Sequence, residues 1–252
     1  MKNNEKLLET KNLVKNFGSN EILKGVDLSV YKGDVISILG RSGSGKSTLL
    51  RCINLLEDPT DGDILFHGNS VLDRHYDVNE YRSDVGMVFQ QFNLFQNKTV
   101  LENCVIGQVK VLKRDRKEAV EKAMHSLDLV GMAEYANARP VQISGGQMQR
   151  VGIARVLSMD PEIILFDEPT SALDPETVDS VLTVMTNLVE TGMTMLVVTH
   201  EMAFAQDVSS RVCFVDNGQI TVDEDPETFF NEPSNPQQAD FLARFNKSQR
   251  LQ

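Results

Sequence analysis

The sequence predicts an α/β fold: a core built on a parallel sheet, a small antiparallel sheet at the N-terminal end, and an inserted helical lobe. Three observations predict it. Short apolar runs at Val35–Leu39, Val85–Phe89, Glu162–Phe166 and Met195–Val198 read as buried strands, with helical spacing between them. Val26, Leu28 and Val30 instead keep a period of two, the mark of a half-buried antiparallel strand. From Val100 to Met132 the period turns helical, with Ala119, Ala123, Leu127 and Val130 on one face and Glu118, Glu121 and Lys122 off it. A chain of 252 residues is long enough for one such core with an inserted lobe. The expected division is one domain over 1–252, with the α/β core at about 1–90 and 149–252 and the helical lobe at about 91–148.

Residues 7–39 alternate apolar and polar stretches between turns at Gly18-Ser19-Asn20 and Tyr31–Asp34, which predicts a strand over Ile22–Val30. Phe17, just before the first turn, reads either as an aromatic that stacks on a nucleotide base or as one more core side chain. Local sequence favours the core, because Phe is so often buried. Val35–Leu39 then leads into Gly40-Arg41-Ser42-Gly43-Ser44-Gly45-Lys46-Ser47-Thr48. Leu49, Ile53 and Leu56 at helical spacing predict a helix from Lys46 that ends by Asp58-Pro59.

Strand, glycine-rich turn, Lys-Ser and helix form the P-loop arrangement. The glycines let consecutive backbone N–H groups face an anion, and the helix N-terminus adds roughly half a positive charge. Lys46 brings a full charge to the terminal phosphates, and Ser47 offers its hydroxyl to Mg²⁺. A chance Gly/Ser loop would lack this strand-to-helix context.

Asp61-Gly62-Asp63 turns into Ile64–Phe66, and residues 67–84 read as loop with short elements. His67 and His75 lie there without a partner at metal-binding spacing. Gln90 follows the Val85–Phe89 strand, and Arg114–Glu118 reads as a solvated helix start. Ile143-Ser144-Gly145-Gly146-Gln147 precedes a helix ending at Asp160-Pro161. Ser144 is its expected N-cap, and the two glycines leave backbone amides uncovered. Taken alone, that is a second anion-ready helix or simply a Ser-capped one.

Glu162–Phe166 ends in Asp167-Glu168, and a strand-end acid pair downstream of a P-loop is the Walker B arrangement. Asp167 would hold Mg²⁺, directly or through water, and Glu168 would orient or deprotonate the attacking water. Asp174 and Pro175 predict the N-cap and N1 of a helix striped by Val178, Val181, Leu182, Met185, Leu188 and Val189 and stopped by Gly192. His200 stands just past Met195–Val198. Parallel sheets bind ligands beyond the carboxyl ends of their strands. Here those ends carry the P-loop, Gln90, Asp167-Glu168 and His200. Asp216-Asn217-Gly218-Gln219 then predicts a hairpin. Asp225-Pro226 starts a short helix, and the tail from Pro233 reads as one helix with Ala239, Leu242 and Phe245 at helical spacing, then frayed residues.

Acidic residues outnumber basic ones, 36 to 25, for a net charge of -11. Nucleic-acid binders carry a basic face, so the balance argues against nucleic acid as a partner. Cys52, Cys104 and Cys213 form neither a zinc spacing nor a disulfide framework, which fits a reducing compartment. The N-terminus has no apolar signal core, and no run approaches the ~18 apolar residues of a spanning helix. The expectation is a soluble, cytoplasmic chain that meets a membrane only through a partner.

Together these motifs resemble the ABC-type ATPases over nearly the whole chain. Gly40–Thr48, Gln90, Ile143–Gln147, Asp167-Glu168, Ser171–Asp174 and His200 match, in order and spacing, that family's Walker A, Q-loop, signature, Walker B, D-loop and H-switch. Phe89–Phe95 and Val198–Ala205 look like the polar amino acid importers. The resemblance implies a head-to-tail pair of chains with ATP and Mg²⁺ between the P-loop of one and the signature of the other.

Ser144, Gly145, Gly146 and Gln147 would then meet the γ-phosphate held by the opposite copy, and Asp174 would communicate across the interface. Gln90 would sense Mg²⁺ and the attacking water, Glu168 would serve as base, and His200 would touch the γ-phosphate. Phe17 resembles the adenine-stacking aromatic, usually Tyr. The implied partners are transmembrane permease subunits at the cytoplasmic face of the membrane and, indirectly, an extracytoplasmic solute-binding protein. Two departures stand out: Ile143 replaces the commoner Leu, and Met148 follows Gln147 where a polar residue is usual. Alternatives are an ABC ATPase of another membrane complex (lipoprotein extraction, cell division) or a soluble ABC ATPase of DNA repair or the ribosome. The latter usually carry coiled coils, zinc insertions or paired cassettes, which this chain lacks.

Overall fold

The computed structural model describes residues 5–249, with side chains described to residue 244. Residues 1–4, the Phe245 side chain of the predicted tail stripe, and residues 250–252 lie outside the described residues. The elements run β1 (Lys6–Phe17), β2 (Asn20–Tyr31), β3 (Val35–Leu39), α1 (Lys46–Ile53), β4 (Asp61–Phe66) and β5 (Asn69–Ser70). Next come α2 (Val78–Asp84), β6 (Val85–Val88), α3 (Val100–Lys110), α4 (Arg116–Leu129), α5 (Gly145–Leu157), β7 (Ile163–Asp167) and α6 (Pro175–Glu190). The chain closes with β8 (Thr194–Val198), α7 (Met202–Val208), β9 (Arg211–Asp216), β10 (Gln219–Glu224), α8 (Pro226–Asn231) and α9 (Pro236–Gln249). Two compact units result, one from residues up to Tyr76 and from Leu196 onward, the other from Asp77–Met195.

In the first unit, β1 and β2 form a hairpin around Gly18-Ser19, and β4 and β5 extend it antiparallel in the order β2-β1-β4-β5. The predicted strand over Ile22–Val30 is thus real and a little longer. β3 is buried along its whole length and pairs in parallel with β9, Ile36 against Arg211 through Leu39 against Phe214. β10 closes antiparallel on β9 through Asn217-Gly218, at φ 47° and 82°, the positive dihedrals an Asn-Gly hairpin needs. Phe214, Phe229 and Phe241 anchor the core between β9 and the C-terminal helices, with ring centroids 6.2 Å and 5.3 Å from Phe214.

Helix α1 ends at Ile53, earlier than its apolar spacing predicts, and Leu56 is 43% exposed. The cause is Leu55 in the left-handed region at φ 58°. Leu56 N donates to Arg51 O (2.8 Å) and Leu55 N to Cys52 O (2.9 Å), the paired bonds of a Schellman stop. Leu occupies the position where Gly would announce such a stop in sequence.

In the second unit, β6 and β7 pair in parallel, Val85 against Ile163 through Val88 against Phe166. Both are fully buried, which suits their continuous apolar runs. Gly86 lets α5 approach β6: a Cβ there would fall 2.4 Å from Val156 Cγ1. The α4 stripe packs as expected, with Ala119, Ala123, Leu127 and Val130 buried. On α6 the buried stripe is Val181, Val184, Met185 and Leu188, so Val184 joins it while Val178, Leu182 and Val189 stay half-buried at its edges.

The charge run before α4 is not simply solvated. Asp115 caps the helix through Lys117 N, but Arg114 folds inward to Gln108 Oε1 (2.6 Å), Ser158 O (3.0 Å) and Asp160 (2.9 Å). Burying a guanidinium requires such partners, and here they tie the α3–α4 turn to the end of α5.

Candidate functional site

The first unit carries the predicted phosphate loop. β3 ends at Leu39, and the chain turns at Gly40 (φ 150°), where a Cβ would fall 2.2 Å from Val215 O. Only glycine lets the loop lie this close to β9. Gly45, at φ 108°, is the N-cap of α1 and makes no side-chain cap, and the first turn holds no acidic residue. Its leading N–H groups therefore face outward for an anion. Gly43 has open space where a side chain would point. Lys46 is 5% exposed, and its Nζ donates to Gly40 O (2.9 Å) and Arg41 O (3.0 Å), which folds the ammonium over the loop. Ser44 Oγ is buried without a hydrogen-bond partner among the described residues. Uncapped amides, a buried cation and an orphan hydroxyl fit a chain of phosphates. Arg41 and Ser42 form the outer rim of the turn, and Ser47 and Thr48 open the helix.

The loop rests on the β9–β10 hairpin and on β2. Gly218 N donates to Ser44 O (3.1 Å), and Lys24 N donates to Gly218 O (2.9 Å). A Cβ at Gly218 would fall 2.3 Å from Ile22 O, and one at Gly45 would fall 3.1 Å from the same oxygen.

Phe17 is 46% exposed, so the core placement favoured by local sequence does not hold. It is the last residue of β1, its ring face is covered by Lys15 Nζ at 4.6 Å, and it presents an accessible aromatic surface. His200 is exposed beyond β8, in a turn where buried Thr199 Oγ1 accepts from Glu201 N (2.9 Å).

The second unit carries the other candidates. Asp167 is the last residue of β7 and is 3% exposed. Glu168 follows in the left-handed region at φ 50°, a strained place for a residue with a Cβ. Ser171 fixes it by donating from N (3.3 Å) and Oγ (3.0 Å) to Glu168 O. No glycine marks this strained position in the sequence, and the strain singles Glu168 out. Gln90 is exposed two residues past β6.

Ser144 caps α5 as predicted. Gln147, expected to face phosphate, adds a capping box: its N donates to Ser144 Oγ (3.3 Å) and its Oε1 accepts from Ser144 N (2.8 Å). Gly146 is needed for packing as well, since a Cβ would fall 2.9 Å from Thr177 Cβ. Gly145 has ordinary clearance. Asp174 is exposed and is the N-cap residue of α6 by position, yet its carboxylate makes no capping bond and stays turned outward.

Two further residues of α5 that no motif marks, Gln149 and Arg155, hydrogen-bond the backbone around Gln90. The available signal was a polar Gln in a stretch that packs as core.

The sequence model of the ABC transporter family matches residues 23–171. The chain is 50% identical over 230 residues to the glutamine transport ATP-binding protein of Geobacillus stearothermophilus, covering 91% of this chain and 95% of that one. It is 49% identical over 238 residues to the arginine transport ATP-binding protein of Bacillus subtilis and to the glutamate/aspartate import ATP-binding protein of Escherichia coli, covering 94% of this chain and 99% of each. Among solved structures, a dimeric post-hydrolysis ATP-binding cassette bound to ADP and Pi is 36% identical, with a TM-score of 0.77 over 87% of this chain and 99% of its own. An ADP-bound cassette of an ABC transporter is 29% identical with a TM-score of 0.80, over 94% and 98%. With the family model matched over more than half of its length and relatives of this identity, the chain is an ATP-binding domain of the ABC transporter family.

Proposed function

We propose that this chain is the ATP-hydrolysing subunit of an importer of polar amino acids, acting as a head-to-tail pair beneath transmembrane permease subunits at the cytoplasmic face of the membrane. One observation carries the reading: relatives 49–50% identical over more than nine-tenths of this chain are named for glutamine, arginine and glutamate/aspartate transport. Among the described residues no helix is long and apolar enough to cross a membrane. An extracytoplasmic solute-binding protein would deliver the solute to the permease subunits.

In this reading Phe17 stacks on the adenine, the amides of Gly40–Thr48 wrap the phosphates, and Lys46 neutralises their charge. Ser47, Asp167 and Gln90 would hold Mg²⁺, which would supply charge neutralisation for the terminal phosphates. Glu168 accepts a proton from the attacking water, from a backbone held in the left-handed region at the end of β7. His200 contacts the γ-phosphate. Ser144, Gly145, Gly146 and Gln147 of the opposite copy complete the cage, and exposed Asp174 faces that copy. ATP stabilises the closed pair and hydrolysis releases it, a population shift whose work reaches the permease.

A cavity of about 570 Å³, lined by Met87, Phe89, Phe95, Ile106, Val156 and Met159 and rimmed by Arg82 and Lys110, is the place offered to a cytoplasmic segment of the permease.

The test is uptake of labelled polar amino acids by vesicles holding the permease complex. ATP-dependent uptake that Glu168→Gln abolishes while ATP binding persists supports the reading. Hydrolysis at the wild-type rate in Glu168→Gln, or a complex that moves no amino acid, overturns it.

A further inference from the structure

Gln149 and Arg155 lie on α5 and reach the backbone on either side of Gln90. Gln149 is fully buried, and its Nε2 donates to Phe89 O at 3.2 Å. The Arg155 guanidinium donates to Asn93 O at 2.6 Å and to Phe92 O at 3.5 Å. Midway between them, a Cβ on Gly152 would lie 3.8 Å from Phe92 O. Positions 149, 152 and 155 form one i, i+3, i+6 ridge, so the segment after β6 runs along the helix and is held to it.

Asn93 takes the left-handed conformation at φ 49°, and its carbonyl accepts from the guanidinium. The Phe92 ring reaches back to the start of α5, where its Cζ lies 3.5 Å from the Cβ position of Gly145. Side chains that only filled space here would be apolar. Leucine would occupy position 149 without the cost of desolvating an amide. Burial also works against the Arg155 charge, and the carbonyls answer it.

We infer that Gln149 and Arg155 are positioning residues that lock the Gln90 segment to the helix led by Ser144–Gly146, so that the two move as one body during turnover. The inference rests on the roles proposed above for Gln90 and for the α5 N-terminus. It adds the physical link between them: a phosphate engaging the start of α5 displaces Gln90 by the same movement. Phe89, Asn93 and Arg155 also line the cavity offered to the permease, so pressure there acts on the same body.

The test uses the full chain with MgATP, comparing Gln90→Ala, Arg155→Met and the double variant by steady-state hydrolysis and by binding of a fluorescent ATP analogue. Expected for Arg155→Met is a loss of at least about tenfold in kcat, from the charge-assisted bond removed, with nucleotide affinity kept within about twofold. The double variant should be at most about twofold slower than the slower single one, because both changes disable one unit. Multiplicative losses, or a wild-type kcat in Arg155→Met, overturn the coupling. Gln90→Ala turning over at the wild-type rate instead overturns the role given to Gln90, and the coupling with it. Should Arg155→Met fold poorly, Gln149→Met carries the same test with the same expected pattern.

Discussion

Replacing Glu168 by glycine and by alanine separates strain from chemistry at one position. Glu168 sits at φ 50° between β7 and Pro169, and Ser171 holds its carbonyl with two donors. The following proline disfavours the right-handed alternative, and the two Ser171 donors to the Glu168 carbonyl hold the turn in its left-handed form. For a residue with a Cβ this conformation costs roughly 1–2 kcal/mol. Both variants lose the carboxylate, and only glycine loses the Cβ. Against the relief stands the greater freedom of glycine in the unfolded chain, about 0.4–1 kcal/mol. The net expectation is a glycine variant about 0.5–1 kcal/mol more stable than the alanine variant, inverting the usual order of the two residues. In a chain of this size that difference raises the thermal midpoint by about 1–4 °C. Thermal and urea unfolding measure the stabilities, and hydrolysis should be nearly absent in both variants. A glycine variant less stable than the alanine one would refute the strain argument, whatever the activities show.

Lys46→Ala should weaken ATP binding about 10–100-fold, the loss of one charge-assisted contact, as measured by nucleotide titration. Gly86→Ala should destabilise by about 1–3 kcal/mol in urea unfolding through overlap with Val156 Cγ1, and adding Val156→Ala should recover most of it. Burial pushes the Cys52 thiol up to about 11 and the Cys104 thiol up to about 12. Both stay protonated in the folded chain while the unfolded chain ionises from about pH 9, so stability is full below that pH and falls as pH rises toward 11. Urea midpoints across pH 8–11 should drop by the equivalent of about 1.4 kcal/mol per thiol per unit above pH 9, and a flat profile would contradict the burial. Ser144→Arg, which breaks the capping box and loads the α5 N-terminus with a cation, should abolish ATP-dependent pairing of Glu168→Gln chains in light scattering.

Strands announced themselves because burial on both faces demands continuous apolar runs, as in Val35–Leu39 and Ile163–Phe166. The phosphate loop was legible because glycines at fixed offsets serve a backbone that almost no other residue allows. What stayed hidden were conformations without a glycine to signal them, at Leu55 and Glu168. Hidden too were side chains whose partners lie far along the chain. Arg114 looked like part of a solvated run until Ser158 and Asp160 closed on it. Phe17 looked like core because apolarity alone cannot tell a buried ring from a displayed one. Gln147 sits where the motif places it, but its reciprocal bond with Ser144 depends on helix geometry.

The Asn217-Gly218 turn has a practical consequence for anyone modifying this protein. By its residues it is an inviting hairpin tip for an epitope tag or a reporter, since such tips usually tolerate insertion. Its glycine, however, is a strut: it donates to Ser44 O, accepts from Lys24 N and lies against Ile22 O. A graft there would tilt the floor beneath the phosphate loop, silencing the protein from a distant stretch of chain that touches no nucleotide.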